Sequence, residues 1–258
     1  MNVRAARPDD YEAWLRFWSY LGLDATPPSR ERFVAGICPH TSFLEEEGAL
    51  VAYNLGFAFG ARGDVRQIAV SPAFRRRGVG TQLMAAVAAK LRAAGCTEWR
   101  LEVRADNTAA IALYHAVGMT KLRDLFTLRI TREAATRFAQ PGLSELVSSD
   151  DDARLEAALD LGAGQVLRWR TFRATAPQVR VGHDAMAQII RDFAPDHGLL
   201  LPFLAPTAGV AKTLMSAAIR DAPAEYELQL PGGPVHAALL EAGARPLEHL
   251  YEFAGALT

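Results

Sequence analysis

Cysteine is nearly absent: the 258 residues hold Cys38 and Cys96 and no others. Two thiols cannot build a disulfide framework, and neither falls in a C-x-x-C or metal-ligand spacing, so both read as reduced. Lysine is scarce too, limited to Lys90, Lys121 and Lys212, which leaves arginine as the basic residue. No stretch approaches the roughly 18 consecutive apolar residues of a membrane span, and residues 1–10 lack the apolar core of an export signal. The expectation is a cytoplasmic protein with no membrane partner. None of the six histidines is paired at metal-ligand spacing, so no metal is expected. A net charge of −1 without a basic stripe argues against a nucleic-acid partner.

What is present describes a globular chain in which half the residues are hydrophobic. A domain usually holds roughly 100 to 200 residues, so two domains are expected. The charge is divided unevenly. Residues 1–130 carry 17 basic and 13 acidic groups, whereas residues 131–258 carry 11 and 16. An anionic ligand suits the first half better.

Along the chain, Asn2 to Ala6 reads as a strand, and Pro8-Asp9-Asp10 opens a helix with Tyr11, Trp14, Leu15, Trp18 and Leu21 at helical spacing. Those aromatics read as core. A second helix is expected from Arg30 to about Gly36, and two strands flanking Glu45-Glu46-Glu47-Gly48 form a hairpin. From Asp64 the pattern sharpens into strand Val65–Val70, an arginine loop, helix Gly78–Ala94, strand Trp99–Val103, helix Asn107–Val117 and strand Leu122–Ile130. Such alternation predicts an α/β (α+β) fold with a mixed sheet covered by helices.

The second half repeats the first. Glu98–Val103 resembles Glu225–Leu230, Ala112–Leu122 resembles Ala237–Leu247 in its apolar and glycine positions, and Asp124-Leu125-Phe126 matches His249-Leu250-Tyr251. Gly78-Val79-Gly80 before Leu83-Met84 is echoed by Gly209-Val210-Ala211 before Leu214-Met215. The division expected is a first domain over residues 1–130, a linker over 131–142 and a second, degenerate copy over 143–258.

The chemistry concentrates at Arg75-Arg76-Arg77-Gly78-Val79-Gly80-Thr81, where a strand runs through an R-x-x-G-x-G loop into a helix. The first turn of a helix has unpaired N–H groups and a partial positive charge, and glycines let a ligand approach the backbone, so the loop suits a pyrophosphate. No Gly-Lys-Ser/Thr follows for a Walker loop, and Leu83 stands where G-x-G-x-x-G needs its third glycine. Further on come Leu101-Glu102-Val103-Arg104-Ala105-Asp106-Asn107 and Ala110-Ile111-Ala112-Leu113-Tyr114 followed by Gly118.

In this order and spacing the chain resembles the GNAT superfamily of acyl-CoA-dependent N-acyltransferases, and residues 65–128 look most like enzymes that acetylate ribosomal-protein N-termini. The resemblance implies two tandem GNAT-like domains, each with a mixed, mostly antiparallel sheet, and acetyl-CoA as cosubstrate. It implies that Arg75, Arg76, Arg77, Gly78, Val79, Gly80 and Thr81 hold the pyrophosphate, that Ala69 and Val70 meet the pantetheine arm through the strand, and that Asn107 hydrogen-bonds it. Glu102 matches the base that takes the proton from an attacking amine, and Tyr114 the acid that protonates the leaving thiolate.

Partial burial would raise the base's pKa usefully, because an amine near pKa 10 must lose a proton before it attacks. Glu102 also fits a solvent-facing strand position beside Arg100 and Arg104, and Tyr114 also fits plain helix core. In the second copy Arg75 falls near Pro206, Glu102 near Gln229, Asn107 within Gly232-Gly233-Pro234, and Tyr114 at Leu239. That copy has lost the residues for acetyl-CoA chemistry. The activity expected is acetyl transfer to a small-molecule primary amine by a monomer or homodimer; acetylation of protein N-termini and non-catalytic CoA sensing are the alternatives.

Overall fold

A computed structural model describes residues 2–22, 26–172, 177–190, 197–219 and 223–257. By contacts the chain forms two compact units, one of Met1–Leu122 with Phe253–Thr258 and the other of Arg123–Glu252. These units do not coincide with the sequence copies at 1–130 and 143–258.

Unit 1 runs β1 (Asn2–Ala5), a 3-10 turn at Pro8–Asp10, α1 (Tyr11–Trp18), α2 (Arg30–Arg32) continued by a π-turn over Phe33–Ile37, β2 (Thr41–Glu46) and β3 (Ala49–Phe59). It continues with β4 (Arg62–Val70), α3 (Val79–Ala93), β5 (Glu98–Arg104) and α4 (Thr108–Ala116). The strand order is β1-β2-β3-β4-β5. Neighbours are antiparallel except for the parallel pair β4 and β5. The helical spacing of aromatics in α1 buries Trp14, Phe17 and Trp18, and the Trp14 ring lies 5.1 Å from that of Phe33. Removing each such side chain from water contributes roughly 1.5 to 3 kcal/mol. The guanidinium of Arg4 grips Asp10 at 2.7 and 2.8 Å and Glu45 at 3.2 Å, tying β1 to the first turn and to β2. This contact holds the Asp10 carboxyl below the ordinary aspartate range, so its contribution to stability is present above that range and is lost as the pH falls.

On the other face, Leu83, Met84, Val87 and Leu91 of α3 are buried. Close packing of α3 on the sheet requires Gly63, where a Cβ would fall 2.5 Å from Leu91 Cδ1. Gly63→Ala is therefore expected to destabilise unit 1 by about 1 to 3 kcal/mol, as other overpacked cores are; urea denaturation measures it, and an unchanged midpoint would show that Leu91 yields freely.

Unit 2 receives most of β6 (Thr120–Thr131) and continues through α5 (Arg132–Phe138), β7 (Glu145–Leu146), α6 (Asp152–Ala158), α7 (Gln165–Phe172), β8 (Gln178–Val181) and β9 (Ala185–Ile190). Then follow β10 (Gly198–Leu204), α8 (Ala208–Ala218), β11 (Glu225–Pro231), α9 (Pro234–Glu241) and β12 (Arg245–Ala256), whose residues from Phe253 onward belong to unit 1. Its strands lie in the order β12-β6-β11-β10-β9-β8-β7, with β10 and β11 a parallel pair. The duplicated segments fall on matching elements: β5 and β11, α4 and α9, β6 and β12, α3 and α8. Residues 131–142, expected as a linker, contain α5, capped by Thr131 Oγ1 at the N–H of Ala134. Ala134, Ala135 and Phe138 enter the core of unit 2.

Candidate active site

β4 and β5 begin as partners and then part. Their parallel pairing covers Arg62–Val65 against Glu98–Leu101 and stops there, while β4 stays paired to β3 as far as Val70. A bulge between Leu55 and Gly56 of the β3 pairing leaves Arg66 as the extra residue on β4 at the same place. A bulge adds local twist and re-aims the strand, which accounts for the parting. Beyond it, the edge of β4 that faced β5 has no strand partner among the described residues from Gln67 to Val70. Its backbone groups can pair with an extended ligand.

Past Val70 the chain turns through Pro72–Phe74 into the arginine loop, with left-handed backbone at Arg76 (φ 61°) and Gly78 (φ 76°). Such φ values are uncommon outside glycine and make the turn into α3 abrupt. Gly78 is the N-cap of α3 and brings no side-chain oxygen to its first-turn N–H groups, so these donors have no side-chain cap. Arg75, Arg76 and Arg77 are all exposed. Arg75 Nε donates to the carbonyl of Val70 at 3.1 Å, linking the loop to the end of β4, and Arg77 is held by Glu46 at 3.4 Å and by the Phe74 ring at 4.9 Å. Val79 is buried beneath this turn, with Thr81 exposed on it. A Cβ at Gly80 would come to 3.0 Å from Leu113 of α4, so its smallness also lets the two helices meet.

Alternation along β5 buries Trp99, Leu101 and Val103 and turns Arg100, Glu102 and Arg104 the other way. Leu101 pairs with Val65, on the same face of the sheet as Gly63 and α3, so Glu102 stands on the α1 face. Ala69 and Gln67 share that face, being opposite Tyr53 and Leu55 of β3. Glu102 is exposed, as its solvent-facing strand reading allowed, because its position in the alternation looks away from the helices that bury its neighbours.

Tyr114 arrives from the α3 and α4 side, buried, with its ring 5.8 Å from Phe253. Its hydroxyl has no hydrogen-bond partner among the described residues, and burial pushes its pKa up to about 12. Asn107 caps α4 through Oδ1, which accepts from the N–H of Ala110 at 3.2 Å and leaves its amide NH2 for a ligand. The sequence reading missed Gln67, which accepts a 2.8 Å hydrogen bond from the hydroxyl of buried Tyr53. A lone glutamine in a strand carries no signal before its register is known. The two thiols are buried away from this site and burial pushes both pKa values up, as expected of packed cysteines. Among the described residues no group of three His, Cys, Asp or Glu is placed to hold a metal, and no helix is long and apolar enough to cross a membrane.

Residues 5–119 match the family described as acetyltransferase (GNAT). An acetyltransferase of Pectobacterium atrosepticum is 33% identical over 118 residues, covering 44% of this chain and 84% of that protein. One from Sodalis glossinidius is 31% identical over 118 residues, covering 44% and 83%. The chain belongs to the GNAT acetyltransferase family. A tandem GNAT protein from the clavulanic acid biosynthesis pathway aligns over 100% of this chain and 98% of its own at TM-score 0.64 and 17% identity. A GCN5-related N-acetyltransferase from Sphaerobacter thermophilus aligns over 99% and 95% at TM-score 0.64 and 17% identity. At such identity the likeness is one of fold, and that fold is the tandem GNAT arrangement in mixed α/β form.

Proposed function

We propose that unit 1 moves an acetyl group from acetyl-CoA to the primary amine of a small molecule by direct attack. The observation that carries this reading is the parting of β4 from β5 beside an uncapped helix N-terminus fronted by three exposed arginines. Those donors fit a pyrophosphate, and the open edge of β4 fits the amides of a pantetheine arm. When bound, acetyl-CoA supplies an acetyl group already activated as a thioester.

The residues divide the remaining work. Arg75, Arg76 and Arg77 with the N–H groups of Val79, Gly80 and Thr81 hold the phosphates. The backbone of Ala69 and Val70 and the amide of Asn107 align the arm. Glu102, on the α1 face, takes the amine's proton directly or through water, and Tyr114 offers its hydroxyl to the departing sulfur from the opposite side. No nucleophile on the protein is required. Two buried, neutral thiols fit the reducing cytoplasm.

Thiol release from acetyl-CoA, measured across small primary amines and peptides, tests the reading. Stimulation by small amines is expected. Stimulation by peptide N-termini alone would overturn the acceptor class, and release indifferent to amines would overturn transfer. The arginine loop gives a second test: changing Arg75, Arg76 and Arg77 together to alanine is expected to raise KM for acetyl-CoA by about tenfold to a hundredfold, with kcat changed far less. Steady-state kinetics at fixed amine would show it; an unchanged KM would remove the loop from phosphate binding.

A further inference from the structure

Unit 2 keeps the strand parting but not its charge. β10 and β11 pair only over Gly198–Leu200 and Tyr226–Leu228. Beyond that pairing lies a cavity of about 430 Å³, walled by Leu159, Phe203, Leu204 and Leu230 among others. The only charged side chains lining it are Asp160 and Asp184, both exposed, and Asp184 has no ion-pair partner among the described residues.

The donors that make unit 1 suited to an anion are closed here. Pro206 stands near the position of Arg75, and Thr207 Oγ1 accepts the N–H of Val210 at 3.3 Å, capping α8 where α3 is uncapped. Pro234 opens α9 and has no N–H to offer. A diphosphate would meet two carboxylates and no cation. An ammonium on an apolar stem would meet opposite charge at the rim and hydrocarbon inside.

We propose that this cavity is a binding site for a small organic cation, an apolar chain or ring of at least about six carbons bearing a primary ammonium, which a cavity of this volume accommodates. The stem lies among Leu159, Phe203, Leu204 and Leu230, and the ammonium faces Asp160 and Asp184. The proposal does not depend on the chemistry of unit 1.

Titration calorimetry of the full chain with hexylammonium, 1-hexanol and hexanoate tests it. Hexylammonium is expected to bind at least about tenfold tighter than hexanoate. Asp184→Lys, an exposed change outside the unit 1 site, should weaken hexylammonium by at least about tenfold and leave 1-hexanol within about twofold. Ala205→Trp, which fills the cavity, should abolish binding of 1-hexanol and weaken hexylammonium at least as much as Asp184→Lys does, while thermal unfolding stays cooperative. Equal binding of hexanoate, no binding of hexylammonium, or an affinity for hexylammonium that ignores Asp184→Lys would each overturn the proposal.

Discussion

Glu102→Gln is expected to lower kcat at pH 7 by about a hundredfold or more, within the range for loss of a general base, and to leave acetyl-CoA affinity within about twofold. The substitution keeps the side chain's length on β5. The groups proposed to hold the cosubstrate lie on other elements, namely β4, the arginine loop and the start of α4. The size of the effect follows from the acceptor: only about one alkylamine in a thousand is unprotonated at neutral pH. The defect should therefore shrink as pH rises toward the amine's own pKa, because free amine then needs no base. A pH profile of kcat, with acetyl-CoA binding measured separately, checks both parts. Equal turnover by the variant at pH 7 would remove Glu102 as base.

Tyr114→Phe is expected to lower kcat by about tenfold to a hundredfold with little change in KM for acetyl-CoA. Phenylalanine retains the ring against Phe253, so the loss reports the hydroxyl alone. A phenol held near pKa 12 stays protonated at any working pH. It lies roughly three to four units above an ordinary thiol near 8.5, so the proton is not fully surrendered. What the hydroxyl supplies is a hydrogen bond that strengthens as charge collects on sulfur. Stability carries a second signature. The unfolded chain releases this proton near pH 10, whereas the folded one keeps it to about 12. The contribution is complete below about pH 10 and is lost as pH rises toward 12; Tyr114→Phe removes that dependence. An unchanged kcat would return Tyr114 to a purely packing role.

Local pattern carried the first unit far. The spacing of Trp14 and Trp18, the hairpin around Glu47-Gly48 and the glycine-to-helix turn at Gly78 each depend on neighbours in sequence and each has its element in the structure. The bulge at Arg66 was not legible, because one extra residue leaves the alternation on either side intact. Exposure of Glu102 was open until the register with Val65 fixed its face. The segment 131–142 did carry a helix signal in the Thr131 cap and the spacing of Ala134, Ala135 and Phe138. Its polar neighbours Arg132, Glu133, Thr136 and Arg137 masked it. Hardest to read was the membership of Phe253–Leu257 in unit 1, a contact made across more than a hundred residues of intervening chain.

That membership bears on synthesis at the ribosome. Phe253 packs on Tyr114, Leu257 donates its N–H to Thr97 O at 2.8 Å, and Gly255 lies so close to Trp99 that a Cβ there would fall 2.8 Å from the indole nitrogen. All of these contacts wait for residues translated after unit 2. At roughly 5 to 20 residues per second, the N-terminal 122 residues spend several seconds or longer without the segment that completes their core. The unit proposed to carry the activity thus completes its core only after unit 2 has been made, and nascent chains should show no acetyl transfer until Phe253 has cleared the exit tunnel.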